Sequence, residues 1–172
     1  MTGAAVQIRI EGGDRLRARL ERLLARAGGP SQRDLLGRLG ALVESQTRRR
    51  IQDGGPDPDG RPWEPLSPGY AAWKAGRSSG KILSLHGPLR DSLTHEVVST
   101  EEARVGSGLV YAAIHQFGGL AGRGHVRSAR SGAESGGAWI PARAYLGVSA
   151  NDLDDLQDEL DAWADDLVEG RP

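Results

Sequence analysis

Cysteine is absent from the 172 residues, and the chain holds one methionine and one phenylalanine. Disulfides, thiolate metal sites and cysteine nucleophiles are therefore excluded, a composition suited to a reducing cytoplasm. The chain also lacks any run approaching the ~20 apolar residues of a membrane span, and its N-terminus has no continuous apolar export segment. A soluble protein with no membrane contact is expected. The four histidines, His86, His95, His115 and His125, show neither H-x-x-x-H nor H-E-x-x-H spacing, so no metal site is expected. The nucleophile elbow G-x-S-x-G is missing as well. Gly106-Ser107-Gly108 flanks its serine directly and falls in a hairpin context. Asp59-Gly60 and the acidic C-terminal segment lack the spacing of a calcium loop. These absences leave no catalytic residue, cofactor or metal to assign, and a non-enzymatic protein is the expectation.

What the chain does have is glycine, 25 residues, and proline, 9, in a length that fits one domain over residues 1–172. The net charge of −1 conceals a polarity along the chain. Residues 1–52 carry eleven cations against five acids, residues 53–149 ten against nine, and residues 150–172 one cation against nine acids. The basic N-terminal and acidic C-terminal regions are complementary, and contact between them, within or between subunits, is expected ahead of DNA binding.

The alternation of Val6, Ile8 and Ile10 predicts a half-buried strand over Ala5 to Glu11. Asp14 then opens a helix with Leu16, Leu20, Leu23, Leu24 and Ala27 on one stripe, stopped by Gly28-Gly29-Pro30. A second helix opens at Ser31, with Asp34 in a capping-box position and Leu35, Leu36, Leu39, Leu42, Val43 and Ile51 on its buried face. The prolines between Asp53 and Ser67 predict an extended wrap pinned by Trp63. Short helices follow at Pro68 to Lys74 and from Gly87-Pro88 to about Leu93. His95 to Thr100 and Ala103 to Ser107 predict a hairpin turned at Glu101-Glu102. A helix covers Tyr111 to Phe117. Gly119 to Ala138 is a flexible Gly, Ser and Arg-rich loop. Ile140 to Gly147 is extended, and Ser149 with Asp152 caps a last helix over residues 150–170. In that helix Leu153, Leu156, Leu160, Trp163 and Leu167 form one apolar seam, with Trp163 as anchor. The fold class is α+β: a small, mainly antiparallel sheet packed by two N-terminal helices, a long Gly/Ser-rich loop and a C-terminal amphipathic acidic helix.

Four segments stand out: Asp59-Gly-Arg-Pro-Trp-Glu-Pro-Leu-Ser67, Leu83-Ser-Leu-His-Gly-Pro-Leu-Arg-Asp-Ser-Leu93, Tyr111-Ala-Ala-Ile-His-Gln-Phe-Gly-Gly119 and Trp139-Ile-Pro-Ala-Arg-Ala-Tyr-Leu-Gly147. Aromatic residues beside glycine and proline fix turns and contacts, which points to structure or assembly. In this order the segments resemble the phage virion morphogenesis, or tail completion, family of Mu-like and P2-like tailed phages, over roughly residues 5–170. His86 stands where the family has Thr, and Ala144 where it has Pro. The resemblance implies a virion protein, assembled in the host cytoplasm, that completes the tail or joins it to the head. It implies a hexameric ring of self-contacting copies with other phage tail or head-connector proteins as partners. The structural or interfacial residues would be Trp63, Leu66, Gly87, Leu89, Tyr111, His115, Gln116, Phe117, Gly118, Pro141, Arg143, Tyr145, Leu146 and Trp163. His115 is read as a hydrogen-bonding anchor for a neighbouring backbone, and Arg143 as a partner for a carboxylate or a ring. Arg123, Arg127 and Arg130 are candidate contacts to DNA or to a neighbouring chain. They support an alternative in which the protein binds DNA, or lines a DNA channel, through its Arg-rich loop and N-terminal helices.

Overall fold

The computed structural model describes residues 18, 21, 22, 28–121 and 138–169. The strand expected at Ala5 to Glu11 and most of the helix expected from Asp14 lie outside the described residues.

The longest element after Gly28 is α1, Gly29–Asp53. It begins two residues before the expected Ser31, with no side-chain cap at its N-terminus and Pro30 in its first turn, where a missing N–H leaves no bond unmade. The expected capping box is not formed. Asp34 instead takes a hydrogen bond from Arg38 Nε at 2.9 Å, one turn along the helix. At the other end Gly54, at φ +86°, returns its N–H to the carbonyls of Arg50 and Ile51, a left-handed stop open to glycine. Leu35, Leu36 and Ile51 of the expected stripe are buried, while Leu39, Leu42 and Val43 are half-buried.

The wrap after α1 leads to α2, Pro68–Ala75, and then to α3, Pro88–Asp91. A hairpin follows, β1 at Leu93–Val97 and β2 at Ala103–Ser107, antiparallel with Leu93 opposite Ser107. Its first strand starts two residues before the expected His95, because the chain enters pairing directly from α3. Val98 and Ser99 close the acidic turn by donating to the Glu102 carbonyl. The hairpin lies against α1. Arg48 Nη2 donates to Leu93 O at 2.8 Å, and the Glu44 carboxylate holds His95 Nδ1 at 2.7 Å and Arg48 Nη2 at 2.7 Å.

Next come α4, Ala112–Phe117, and the strands β3, Gly119–Ala121, and β4, Ala138–Ile140, paired with Leu120 opposite Trp139. The ends of the expected Gly119 to Ala138 loop are therefore strands, and residues 122–137 lie outside the described residues. The chain ends in α5, Ala150–Glu169. Ser149 and Asp152 form the expected reciprocal cap: Ser149 N donates to Asp152 Oδ2 at 2.8 Å and Asp152 N to Ser149 Oγ at 3.2 Å.

The class is α+β. The described strands make two separate two-stranded ribbons rather than one sheet. Two apolar clusters share α1 as a common wall. Near its start, Leu35 and half-buried Leu39 pack on Leu160, Trp163 and Ala164 of α5. Near its end, Ile51 joins Trp63, Leu89, Leu93, Ala112, Tyr145 and Leu146. The α5 seam thus packs within the chain, with Leu153 half-buried and Leu167 left at the rim.

Candidate functional site

The four sequence motifs meet at the second cluster, and most of their bonds to one another are made by side chains to backbone. Trp63 is buried, and its Nε1 donates to Ala144 O at 2.9 Å, across 81 residues of sequence. Arg143 reaches the opposite way, its Nε donating to Glu64 O at 2.7 Å and Nη2 to Pro65 O at 3.0 Å. The Gln116 carboxamide bridges α4 to the last extended segment. Its Oε1 accepts from Tyr145 N at 3.0 Å and Leu146 N at 2.9 Å, and its Nε2 donates to Leu146 O at 3.0 Å. One amide thus stands in for a missing strand, satisfying three backbone groups that burial would otherwise leave unpaired. Gly118 lets the two segments approach. At φ +73° a Cβ there would lie 2.8 Å from Ala142 N, so no other residue fits without moving backbone.

Arg50 joins this clasp to α5: its Nη1 donates to Tyr145 O at 2.8 Å and Gly147 O at 3.0 Å, while Nη2 pairs with Asp152. Gln46 Nε2 adds a bond to Asp155 Oδ2 at 2.9 Å. Arg50, Gln46 and the buried Lys74, which donates to the Lys81 carbonyl, carry no signal in the sequence. Each acts on a segment far away or on a bare carbonyl.

Burial governs the titrations. Desolvation, then the nearby Arg143 charge, pushes the Lys74 amine below its usual value, and the same two causes lower His115. Desolvation also lowers Arg143, partly offset by Glu64, and drives the Tyr145 phenol up to about 12. His115 Nδ1 is buried with no hydrogen-bond partner, and the ring meets Tyr111 edge-on at 5.8 Å. The anchoring role expected of His115 belongs to its neighbour Gln116. Among the described residues the histidine's hydrogen bond to the clasp is made by its carbonyl, which accepts from Arg143 N at 2.7 Å. Among the described residues Arg143 makes neither the ion pair nor the ring stack expected of it. Its Nε and Nη2 go to carbonyl oxygens instead, because the wrap presents bare backbone there.

Trp63, Leu89, Gln116, Gly118, Arg143, Tyr145 and Leu146 are thus brought together, with Leu66 and Pro141 half-buried and Gly87, at φ +88°, starting α3. Trp163 sits apart in the α5 cluster. Tyr111 and Phe117 are turned outward, 43% and 64% exposed, so the motif aromatics do not form one buried group. Beside them Val110 is 84%, Leu120 69% and Trp139 71% exposed, and Leu120 and Trp139 face the same side of the ribbon as cross-strand partners. Arg123, Arg127 and Arg130 lie outside the described residues. Among the described residues no His, Cys, Asp or Glu group of three or more is arranged to hold a metal, and no helix is long and apolar enough to cross a membrane.

This geometry coincides with a match to known proteins. The Phage virion morphogenesis family matches residues 13–165. The chain is 35% identical over 107 residues to "Putative capsid assembly protein G" of Escherichia phage Mu, covering 60% of the chain and 62% of that protein. It is 32% identical over 160 residues to "Mu-like prophage FluMu G protein 2" of Haemophilus influenzae, covering 89% of the chain and 94% of that protein. No solved structure matches. With nine-tenths of its length accounted for, the chain belongs to the phage virion morphogenesis family.

Proposed function

We propose that the chain is a non-enzymatic assembly protein of the virion that completes the phage tail or joins tail to head, working as a ring of copies. Six copies is the number implied by the tail it would meet. The observation that carries this reading is the exposed apolar surface held up by the clasp: Val110, Tyr111, Phe117, Leu120 and Trp139. Exposed apolar side chains of this size mark contact with another protein when they gather around one ribbon, as Leu120 and Trp139 do as cross-strand partners. The rigid backbone clasp beneath it fixes its shape before any partner arrives, which lowers the entropy lost on docking.

DNA contact draws less support. The basic residues of α1 are largely engaged within the chain, Arg50 with Asp152, Arg48 with Glu44 and Arg38 with Asp34, Glu159 and Asp166. The test is the mass of the purified full chain in solution, before and after Leu120→Asp with Trp139→Asp. Loss of the assembled species at unchanged melting temperature is expected. A wild-type chain that stays monomeric at every concentration would overturn the reading.

A further inference from the structure

From Pro65 to Arg90 the chain contains no acidic residue and four cations, Lys74, Arg77, Lys81 and Arg90. On this stretch α2 turns two aromatic rings outward. Tyr70 is 43% and Trp73 44% exposed, stacked at 5.4 Å, and the Arg77 guanidinium lies 4.8 Å over the Trp73 ring. Arg77 Nη1 also holds the Trp73 carbonyl at 2.7 Å, so the cluster is preformed. Lys74 is spent on the Lys81 carbonyl and Arg90 on Asp91, whereas Arg77 and Lys81 have no ion-pair partner among the described residues. The result is a preformed, exposed basic and aromatic lobe.

The complementary surface is on α5, which carries nine acidic residues and no basic one. Asp154, Asp158, Asp161 and Asp165 recur at spacings of four, three and four residues. They therefore line the side turned away from the seam of Leu156, Leu160 and Trp163. Asp154, Asp158 and Asp165 are exposed and make no ion pair among the described residues. The α1 arginines cannot supply their countercharge, because α1 meets α5 on the opposite, seam side.

We propose that the lobe of Tyr70, Trp73, Arg77 and Lys81 docks on the Asp154, Asp158 and Asp165 face of α5 in a second copy of this chain. The proposal rests on the ring reading above and adds, to the apolar surface already described, two charged patches that would set the orientation of neighbouring copies. Different patches on one subunit make a head-to-tail contact, which generates a ring when the rotation closes. The aromatic pair supplies a low-entropy anchor and the charges fix orientation, an arrangement that steers association and is weakened by salt. A nucleic acid fits the lobe less well. Base stacking needs open ring faces, and the Trp73 ring already carries both Tyr70 and Arg77.

The experiment compares the full chain with a lobe reversal, Arg77→Glu with Lys81→Glu, and a helix reversal, Asp158→Lys with Asp165→Lys, by mass in solution at low and high salt. Each reversal is expected to reduce the assembled species to monomer, as should high salt on wild type. A chain carrying both reversals is expected to assemble again, which loss of folding could not mimic. A wild-type ring whose mass survives both reversals would overturn this inference and leave the ring reading standing. A monomeric wild type would instead remove the reading itself and this inference with it. A fluorescent DNA duplex that binds wild type and is released by the lobe reversal, with the ring mass unchanged, would transfer the lobe to nucleic acid and overturn the proposal.

Discussion

The two ends of α1 face regions built on different physics. At its start, α1 and α5 meet as two regular helices, and what holds them is apolar side chain against apolar side chain: Leu35, Leu160 and Trp163. At its end the clasp contains hardly any regular structure, and its segments are joined by Trp63, Gln116 and Arg143 bonding to main-chain atoms. Long irregular segments inside a core need such partners, because helix and sheet ladders are not there to satisfy the backbone. The helix pair can therefore be weakened by removing volume, and the clasp by removing hydrogen-bonding groups.

The largest effect should come from Trp163→Ala, which empties the centre of the helix pair and costs about 3–5 kcal/mol. Amide exchange should accelerate in α5 while the Tyr145 and Leu146 amides stay protected. Equal acceleration in both would show that the two regions unfold as one unit. Gln116→Leu should reverse the pattern. It leaves two donors and one acceptor unpaired at a part-buried amide, at about 1 kcal/mol for each group, and should expose the Tyr145 and Leu146 amides first. A melting temperature unchanged by Gln116→Leu would refute the clasp. Ser149→Ala removes half of the reciprocal cap of α5 and should cost about 1 kcal/mol, read as a small drop in melting temperature without loss of the helix.

The smallest effect sharpens the contrast through pH. His115, on the clasp side, holds its proton less tightly than at the ordinary value of 6.5. The unfolded chain thus binds more protons in that range. Its contribution to stability is retained above pH 6.5 and lost as pH falls from there toward the depressed folded value. His115→Gln should flatten that part of the melting-temperature profile, and a variant as acid-sensitive as wild type would contradict the burial of this ring.

The two helices of the pair were legible in the sequence, though not whether they meet within one chain, and the clasp was not. The α1 stripe and the Ser149–Asp152 cap are local patterns, repeated at helical spacing or three residues apart, and both appear in the structure. The motif segments were legible as important, since rings, glycine and proline crowd there. Their roles were not, because Gln116 and Arg143 find partners 29 to 79 residues away, on backbone that looks alike at every position. The attraction between basic start and acidic end was half legible. Arg50 and Arg38 do meet α5, yet Asp154, Asp158 and Asp165 make no ion pair among the described residues. The start of α1 was misplaced because Gly29 and Pro30 resemble a helix stop, while proline is equally at home in a first turn.

Recognition of carbonyls and amides rather than side chains leaves the clasp indifferent to much of its own spelling. Trp63 needs only an oxygen at residue 144, which proline offers as well as alanine, so an exchange of Ala144 for Pro is neutral to that bond. Glu64 and Pro65 are likewise read through their oxygens by Arg143. Tyr145 and Leu146 are the exception, since Gln116 requires their N–H groups and proline is barred from both. A saturation library across residues 64, 65, 144, 145 and 146 should thus show wide tolerance at the first three and a sharp veto on proline at the last two, drift on one rail of the clasp and arrest on the other.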